Sequence, residues 1–208
     1  MRKALLIALL LLAACDTVRQ GLAVLAHHPS ADAGRAAPGR YRIDPQHASV
    51  HFSVMHLGFS HFTGRFDDIA GTLDFVPTSP TESSLDVHIK AASVNSNATE
   101  IDALLREKLF GSDRYPDIRY TARKADLTGE REGIVHGELQ MAGRRHPLDL
   151  EVVFNGAARN PLTGAQTLGF SARATLDRSD WGIGDWYPAV AQDVEIRIEA
   201  EFVLDEAG

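Results

Sequence analysis

The chain has 208 residues, a formal net charge of -7 and an apolar share of 44%, proportions of an ordinary globular protein with one domain, or one domain plus appendages. The acidic excess, with no basic stretch standing out, argues against a phosphate-backbone partner, so no nucleic acid is expected. The single cysteine, Cys15, excludes an internal disulfide.

The first residues read as an address. "MRK" is a short positive stretch, and "ALLIALLLLAA" is an apolar run of eleven residues. A spanning helix needs ~20 apolar residues, so residues 1–14 read as a secretory signal. The signal ends in "LAAC", Leu12 to Cys15, which resembles the lipobox of bacterial lipoproteins. There, small residues let the peptidase reach the bond, and the thiol takes the lipid as a thioether. The alternative is a plain signal peptide with a chance cysteine. A lipidated Cys15 carrying more than one acyl chain would give durable attachment to a membrane. The same resemblance implies, through Asp16, retention at the inner membrane.

Residues 15–40 have no sustained period and several Ala, Gly and Pro. They are expected to form the lipidated N-terminus and a flexible tether, which as a coil would reach ~25–30 Å. "GLAVLA" within it is too short for a stable isolated helix.

From Tyr41 to residue 206 the chain reads as one domain whose dominant signal is period two. The last segment is the clearest. Val194, Ile196, Ile198, Ala200, Phe202 and Leu204 alternate with Glu195, Arg197, Glu199, Glu201 and Val203, the pattern of a half-buried antiparallel strand. Leu85-Val87-Ile89-Ala91, Ile118-Tyr120-Ala122, Leu148-Leu150-Val152-Phe154 and Phe170-Ala172-Ala174-Leu176 repeat it. With the opening stretch, a long segment at 62–76 and "GIVHGELQM", eight strands are expected. "TGEREG" and "AGRR" are hairpin-like turns. One segment breaks the alternation: "NATEIDALLREKLFG" carries Ile101, Leu104, Leu105 and Leu109 at helical spacing. Asn97 with Glu100 is a candidate capping box, and Gly111 a candidate stop.

Eight sequential antiparallel strands close into an up-and-down barrel or split into a sandwich, and periodicity leaves both open. A closed barrel of eight strands is just wide enough for one small ligand. The small residues Ala91, Ala122, Ala172 and Ala174 on the apolar faces hint at a cavity, although alanine is also common in solid cores.

Four histidines, His47, His51, His56 and His61, fall within fifteen residues. Strand geometry argues against a metal site built from them. His51 and His56 differ by an odd number and point to opposite faces. His47 and His51 on one regular strand are ~13 Å apart, whereas zinc sits only ~2.0–2.1 Å from each ligand nitrogen. Further ligands such as His88, His136 or His146 would be needed, and nothing in the sequence pairs them, so no metal is expected. The same parity gives Val50, Phe52, Val54, Phe62 and Phe66 a common apolar face, places His56 on it, and turns His51 and His61 outward. His56 is then either a histidine hydrogen-bonded to a neighbour inside the barrel, or a group meeting the polar end of a ligand in an apolar cavity.

The segments "YRIDPQHASVHFSVMHLGFSHFTGRF", "GTLDF", "YPDIRY", "GELQMAGRRHPLDLEVVF", "GFSARATLDRSDWGI" and "DVEIRIEAEFVL" together resemble the YceI-like family across residues 41–204. That resemblance implies an all-β fold: an eight-stranded antiparallel lipocalin-like up-and-down barrel with one short helix inserted near residues 97–110. It implies a tunnel for a long polyisoprenoid, such as a quinone tail or polyprenyl lipid, with no further cofactor. The expected lining is Phe52, Val54, His56, Phe62, Phe66, Leu73, Val87, Ile89, Phe170, Ala172 and Ala174, with Leu105 from the helix. A periplasmic or secreted location, a homodimer and a b-type cytochrome partner are also implied. His47, His56 and "RSDWGI" (Arg178 to Ile183) fit the family pattern. Arg178 with Asp180 is either a ligand contact or a structural ion pair or turn brace. The chain departs from the pattern at Ile101-Asp102, where relatives carry Arg-Asp, and at Leu109-Phe110, where they carry two phenylalanines.

No nucleophile elbow, zinc-protease motif, phosphate loop or dinucleotide fingerprint occurs. "GFSAR" is not G-x-S-x-G, and Asp67 and Asp68, read as neighbours in a strand, point apart. The leading expectation is therefore a non-enzymatic lipid carrier or reservoir at the periplasmic membrane surface. The alternatives are a filled-barrel envelope or stress module, and an enzyme acting on a hydrophobic substrate.

Overall fold

The computed structural model describes residues 20–205. The signal, Cys15, Asp16 and the last residue of the expected domain, Glu206, lie outside them. The strands are β1 (Gly39–His56), β2 (Ser60–Phe66), β3 (Ile69–Phe75), β4 (Ser84–Lys90), β5 (Val94–Asn95), β6 (Asp117–Leu127), β7 (Glu132–Met141), β8 (Arg144–Arg159), β9 (Gln166–Asp177) and β10 (Val190–Leu204). They form one antiparallel sheet in which β10 returns to pair with β1.

Ten segments occupy eight positions around this closed barrel, because two pairs lie end to end. His56 faces Ser60 and Val50 faces Phe66, while Arg42 faces Thr72 and Gly39 faces Phe75, so β2 and β3 both run along β1. β4 and β5 are joined by a single 3-10 turn, Ala91–Ser93, and β5 pairs with β2 through Arg65 and Asn95. The two breaks face each other. The Asp67 and Lys90 amides donate to Ser93 O (3.1 Å) and Asp68 O (3.0 Å). Asp67 and Asp68 thus occupy a kink between strands rather than the strand expected. Asp67 pairs with Arg65 at 2.8 Å and accepts from Asn95 Nδ2 at 2.7 Å.

The barrel is a meander of consecutive neighbours, so tight turns suffice. Ala142 and Gly143 take positive φ (49° and 76°) between Met141 and Arg144, as the "AGRR" signal predicts. The helix occupies Thr99–Leu104 and continues as a π-helix, Leu105–Phe110, ended by the left-handed Gly111. Asn97 does not cap it. Asn97 is itself left-handed (φ 63°), and Ala98 is the cap residue. The chain enters the helix through Asp102 instead, a buried carboxylate that accepts from the Ser96 amide (2.7 Å) and Ser96 Oγ (2.6 Å).

A second core packs toward one end of the barrel. Tyr41 (0% exposed) and Leu168 (1%) are buried there with Phe75, Phe154 and Phe202. Phe170 stacks between Phe154 (5.3 Å) and Phe202 (5.8 Å). The segment expected to be a flexible tether helps to close this end. Residues 20–25 are helical, Ser30 exchanges two backbone hydrogen bonds with Ala157 (both 2.9 Å), and Ala36 is buried. Tyr41 donates its hydroxyl proton to Ala37 O at 2.7 Å. Gly156 (φ +149°) leaves the space: a Cβ there would lie 2.8 Å from Pro29 Cβ.

Outside, His136 on β7 reaches both neighbours. Its Nδ1 is 2.9 Å from Asp149 Oδ1 on β8, and its Nε2 is 3.0 Å from Asp126 Oδ2 on β6. The hydrogen bonds to Asp149 and Asp126 raise its pKa above the ordinary imidazole value.

Leu168→Ala is expected to cost about 2–5 kcal/mol, the range for a fully buried leucine, read as a fall in the urea midpoint. A folded-state histidine pKa above the unfolded value adds stability that is complete below the unfolded pKa and disappears as pH rises through the folded one. His136→Ala should therefore lower the melting temperature clearly below pH 6.5 and progressively less in alkaline buffer, with the imidazole titration followed by NMR.

Candidate ligand-binding tunnel

The inward-facing side chains do not fill the barrel. An inner chamber of 230 Å³ is walled by Val50, Ile69, Leu73, Val87, Ile89, Tyr120, Leu150, Phe170 and Ala172 among others. An outer chamber of 450 Å³ is walled by Phe52, Val54, Phe62, Ile101, Leu104, Leu105, Phe110, Trp186, Val194 and others. Phe66, Met141, Leu176 and Ile196 belong to both walls. The two chambers therefore adjoin within one largely apolar interior, of the size that holds a small organic ligand.

The alternating strands supply the inner chamber because every second side chain of a strand points inward. The helix supplies the lid of the outer one. In the π-helix the repeat lengthens to five residues, which brings Leu105 and Phe110 to the same face. Phe110 contacts Phe66 (5.6 Å between centroids), and Phe66 contacts Phe52 (5.9 Å).

Two glycines keep the rings against the wall. Phe52 lies directly opposite Gly64, and a Cβ at Gly64 would come within 2.8 Å of Phe52 Cε1 and closer to its Cζ. A Cβ at Gly137 would likewise overlap the Tyr120 hydroxyl and Cε2 (2.6 Å). Each glycine is a notch in which an aromatic ring lies flat along the sheet.

Eleven of the twelve lining residues expected from sequence border the tunnel: Leu73, Val87, Ile89, Phe170 and Ala172 the inner chamber, Phe52, Val54, His56, Phe62 and Leu105 the outer, and Phe66 both. Ala174 packs against the surrounding core without reaching either lining. His56 needs correcting in its depth. It borders the outer chamber but lies exposed at the rim, as the last residue of β1, rather than inside the barrel. His51 and His61 are exposed, and His47 binds Asp44 Oδ2 at 2.8 Å across a bulge in β1.

The inner chamber has several polar members: Tyr120, which the alternation placed on an apolar face, with Ser49, Ser83, Ser84, Lys124 and Glu199. The Tyr120 hydroxyl lies 3.1 Å from Val135 O and 3.0 Å from Leu148 O. Burial pushes its pKa far up, with the Asp149 charge adding to the effect, so it remains a neutral donor satisfied by the wall. Arg178, 3% exposed, is the cation beside the outer chamber. Its Nε donates to Ala191 O (2.7 Å), Nη1 to Ile183 O, and Nη2 to Asp185 O (2.6 Å) and Val190 O (3.0 Å). Burial lowers its pKa, opposed by the charges of Asp185 and Asp177. Arg178 is thus a brace for the loop 178–191. Asp180 is not its partner: the Asp180 carbonyl accepts from Arg144 Nη1 at 3.2 Å. Trp181 completes the brace, donating Nε1–H to Leu139 O at 3.0 Å. Among the described residues no three His, Cys, Asp or Glu converge as metal ligands.

Gly64→Ala is expected to destabilise by about 1–3 kcal/mol, the usual cost of overpacking, because the new methyl meets the Phe52 ring. Phe52→Ala on that background should recover part of the loss, measured as non-additivity in a double-mutant cycle.

Residues 41–202 match the YceI-like domain. A UPF0312 protein of Pseudomonas putida is 33% identical over 171 residues, covering 80% of this chain and 88% of the relative. The corresponding protein of Pseudomonas syringae pv. tomato is 34% identical over the same shares. Among solved structures, the Campylobacter jejuni YceI protein superposes with a TM-score of 0.66 at 31% identity, covering 73% of this chain and 90% of that one. Burkholderia cenocepacia BcnA gives 0.68 at 19% identity (76% and 98%). A polyisoprenoid binding domain from Saccharophagus degradans gives 0.61 at 12% identity (81% and 100%). These last two show the shared barrel alone. With a matching domain across most of the chain and relatives a third identical over four-fifths of it, the protein belongs to the YceI-like family.

Proposed function

We propose that the barrel binds one extended apolar lipid of the polyisoprenoid class, a quinone tail or a polyprenyl chain, and acts as its carrier or reservoir at the periplasmic face of the bacterial envelope. The observation that carries this reading is the interior itself: two largely apolar chambers that share Phe66, Met141, Leu176 and Ile196 in their walls. Adjoining chambers suit an extended chain better than a compact solute. The name of the Saccharophagus degradans domain supports the same ligand class. Lipidation of Cys15, favoured at the inner membrane by Asp16, would hold the barrel where such lipids reside. A homodimer and a b-type cytochrome partner for a quinone ligand belong to the same reading.

The mechanism is hydrophobic transfer. Each methylene leaving water is worth ~0.8 kcal/mol, but a chain drawn from a bilayer leaves no water. The tunnel has only to match the membrane, so loading and unloading are reversible, and a tether assists by raising local concentration. The ionisable groups of the outer lining are His56, exposed at the rim, and Arg178, committed to backbone carbonyls; those of the inner lining are Tyr120, Lys124 and Glu199.

Protein purified from a bacterial host and extracted with organic solvent should release a long isoprenoid by mass spectrometry; extraction that yields no lipid overturns the reading. Ala172→Trp, which fills the inner chamber, and Phe52→Glu, which charges the outer, should each remove most of the recovered lipid. His56→Ala should leave recovery unchanged, because the imidazole stands at the rim.

A further inference from the structure

Most of the large exposed apolar side chains of the barrel gather at one place. Leu57 (55% exposed) and Phe59 (87%) form the tip of the β1–β2 hairpin, Ile101 (39%) faces out from the helix, and Trp186 (46%) and Tyr187 (64%) lie on the loop before β10. The Leu57 amide donates to Ala189 O at 2.7 Å, which ties the hairpin to that loop. Ile101, Trp186 and Ala189 also border the outer chamber. The patch is therefore the rim of the tunnel mouth.

The rim is held apolar against local preference. Leu57 (φ 51°) and Trp186 (φ 65°) both sit in the left-handed region, where glycine, asparagine or aspartate is the inexpensive choice. In the hairpin, Leu57 and Gly58 occupy the two central positions of a turn closed by Phe59 N–H to His56 O (3.0 Å), a turn that favours Asn-Gly. An exposed leucine there gains the turn nothing.

We propose that this rim docks on a lipid bilayer, with Phe59 and Leu57 entering the acyl boundary and Trp186 and Tyr187 at headgroup level, so that ligand passes between membrane and tunnel without crossing water. The proposal rests on the apolar-ligand reading above. Three observations favour a bilayer over a second protein surface. The rim is continuous with the chamber a membrane lipid would enter. Tip leucine and phenylalanine beside tryptophan and tyrosine is the composition of interfacial anchors. No carboxylate borders the outer chamber; Glu100 and Asp185 are exposed nearby.

The test uses the full chain with Cys15→Ser, so that every variant shares the same N-terminal segment and none carries an acyl anchor. The probe is a vesicle of phosphatidylethanolamine and phosphatidylglycerol whose acyl chains are brominated. Trp181 is 2% exposed and Trp186 46%, so subtracting the emission of Trp186→Phe isolates the rim. Trp186 emission is expected to shift to the blue and to be quenched. Leu57→Glu with Phe59→Glu should raise the vesicle concentration needed by roughly tenfold or more, from the loss of two buried apolar side chains. Leu57 and Phe59 border neither chamber, so the same double variant should retain its extractable lipid. Lipid recovered from the parent without quenching of Trp186 overturns the docking proposal and leaves the ligand reading standing; quenching without recovered lipid does the reverse. A dimer of the parent that the double variant splits, with no quenching in either, assigns the rim to a second copy and also overturns it.

Discussion

The pairing of β1 with β10 is the contact on which the remaining structure depends. β1 pairs with β10 on one side and with β2 then β3 on the other. An open sheet would expose a row of unpaired amides and carbonyls at each edge, together with a broad apolar face. Closure removes both at once and turns that face into the wall of a tunnel. The alternation of Val194, Ile196, Ile198, Ala200 and Phe202 against charged neighbours is the sequence form of the same constraint, because it needs one dry side and one wet side. The register shift between Ile43 and Ala48 is absorbed locally: the Asp44 carboxylate takes the Gln46 amide (2.9 Å) and His47 Nδ1 (2.8 Å).

Period two determines which face a residue occupies but not its height along the barrel, and that distinction separates what was legible from what was not. The strand number and the inward faces of the strands follow from alternation, the turn at Ala142-Gly143 from its turn residues, and closure into a barrel from the family resemblance. His56 shows the limit. It borders the tunnel as its parity requires, yet it is the last residue of its strand and so stands at the rim. The kink at Asp67-Asp68 was illegible for another reason. It is fixed by hydrogen bonds to Ser93 and Lys90, some twenty-five residues away, and no local propensity records them. Asn97 satisfied a capping pattern, but the Asp102 carboxylate reaching back to Ser96 was the stronger competitor for the turn. The docking of residues 29–37 depends on Gly156, whose missing side chain leaves no mark in a hydropathy pattern.

Glycine does comparable work inside the wall. A strand interior ordinarily loses stability by placing glycine there. Here the loss is offset by aromatic rings lying across the gaps, Phe52 over Gly64 and Tyr120 over Gly137. The arrangement lets a barrel rich in large side chains keep a hollow centre, because the rings extend along the wall instead of across the lumen. It also explains why Tyr120 can be polar and buried at no evident cost. Lying flat against β7, its hydroxyl reaches the carbonyls of Val135 and Leu148.

An interior walled mostly by apolar side chains can hold a lipid but gives it no direction. Direction has to come from the ends, and the two ends differ. One is packed around Tyr41, Leu168 and the docked N-terminal segment. The other carries the braced loop of Arg178 and Trp181, the exposed His56 and the apolar rim. Arg178 matters here although it need not touch a ligand. Its guanidinium fixes the carbonyls of residues 183, 185, 190 and 191, and with the buried Trp181 and Ile183 it holds the loop bearing Trp186 in shape. A buried cation whose hydrogen bonds go to carbonyls resists displacement, since withdrawing it would strand both the charge and its acceptors in an apolar site. The mouth is therefore braced by Arg178 and greasy where Leu57, Phe59, Trp186 and Tyr187 are exposed.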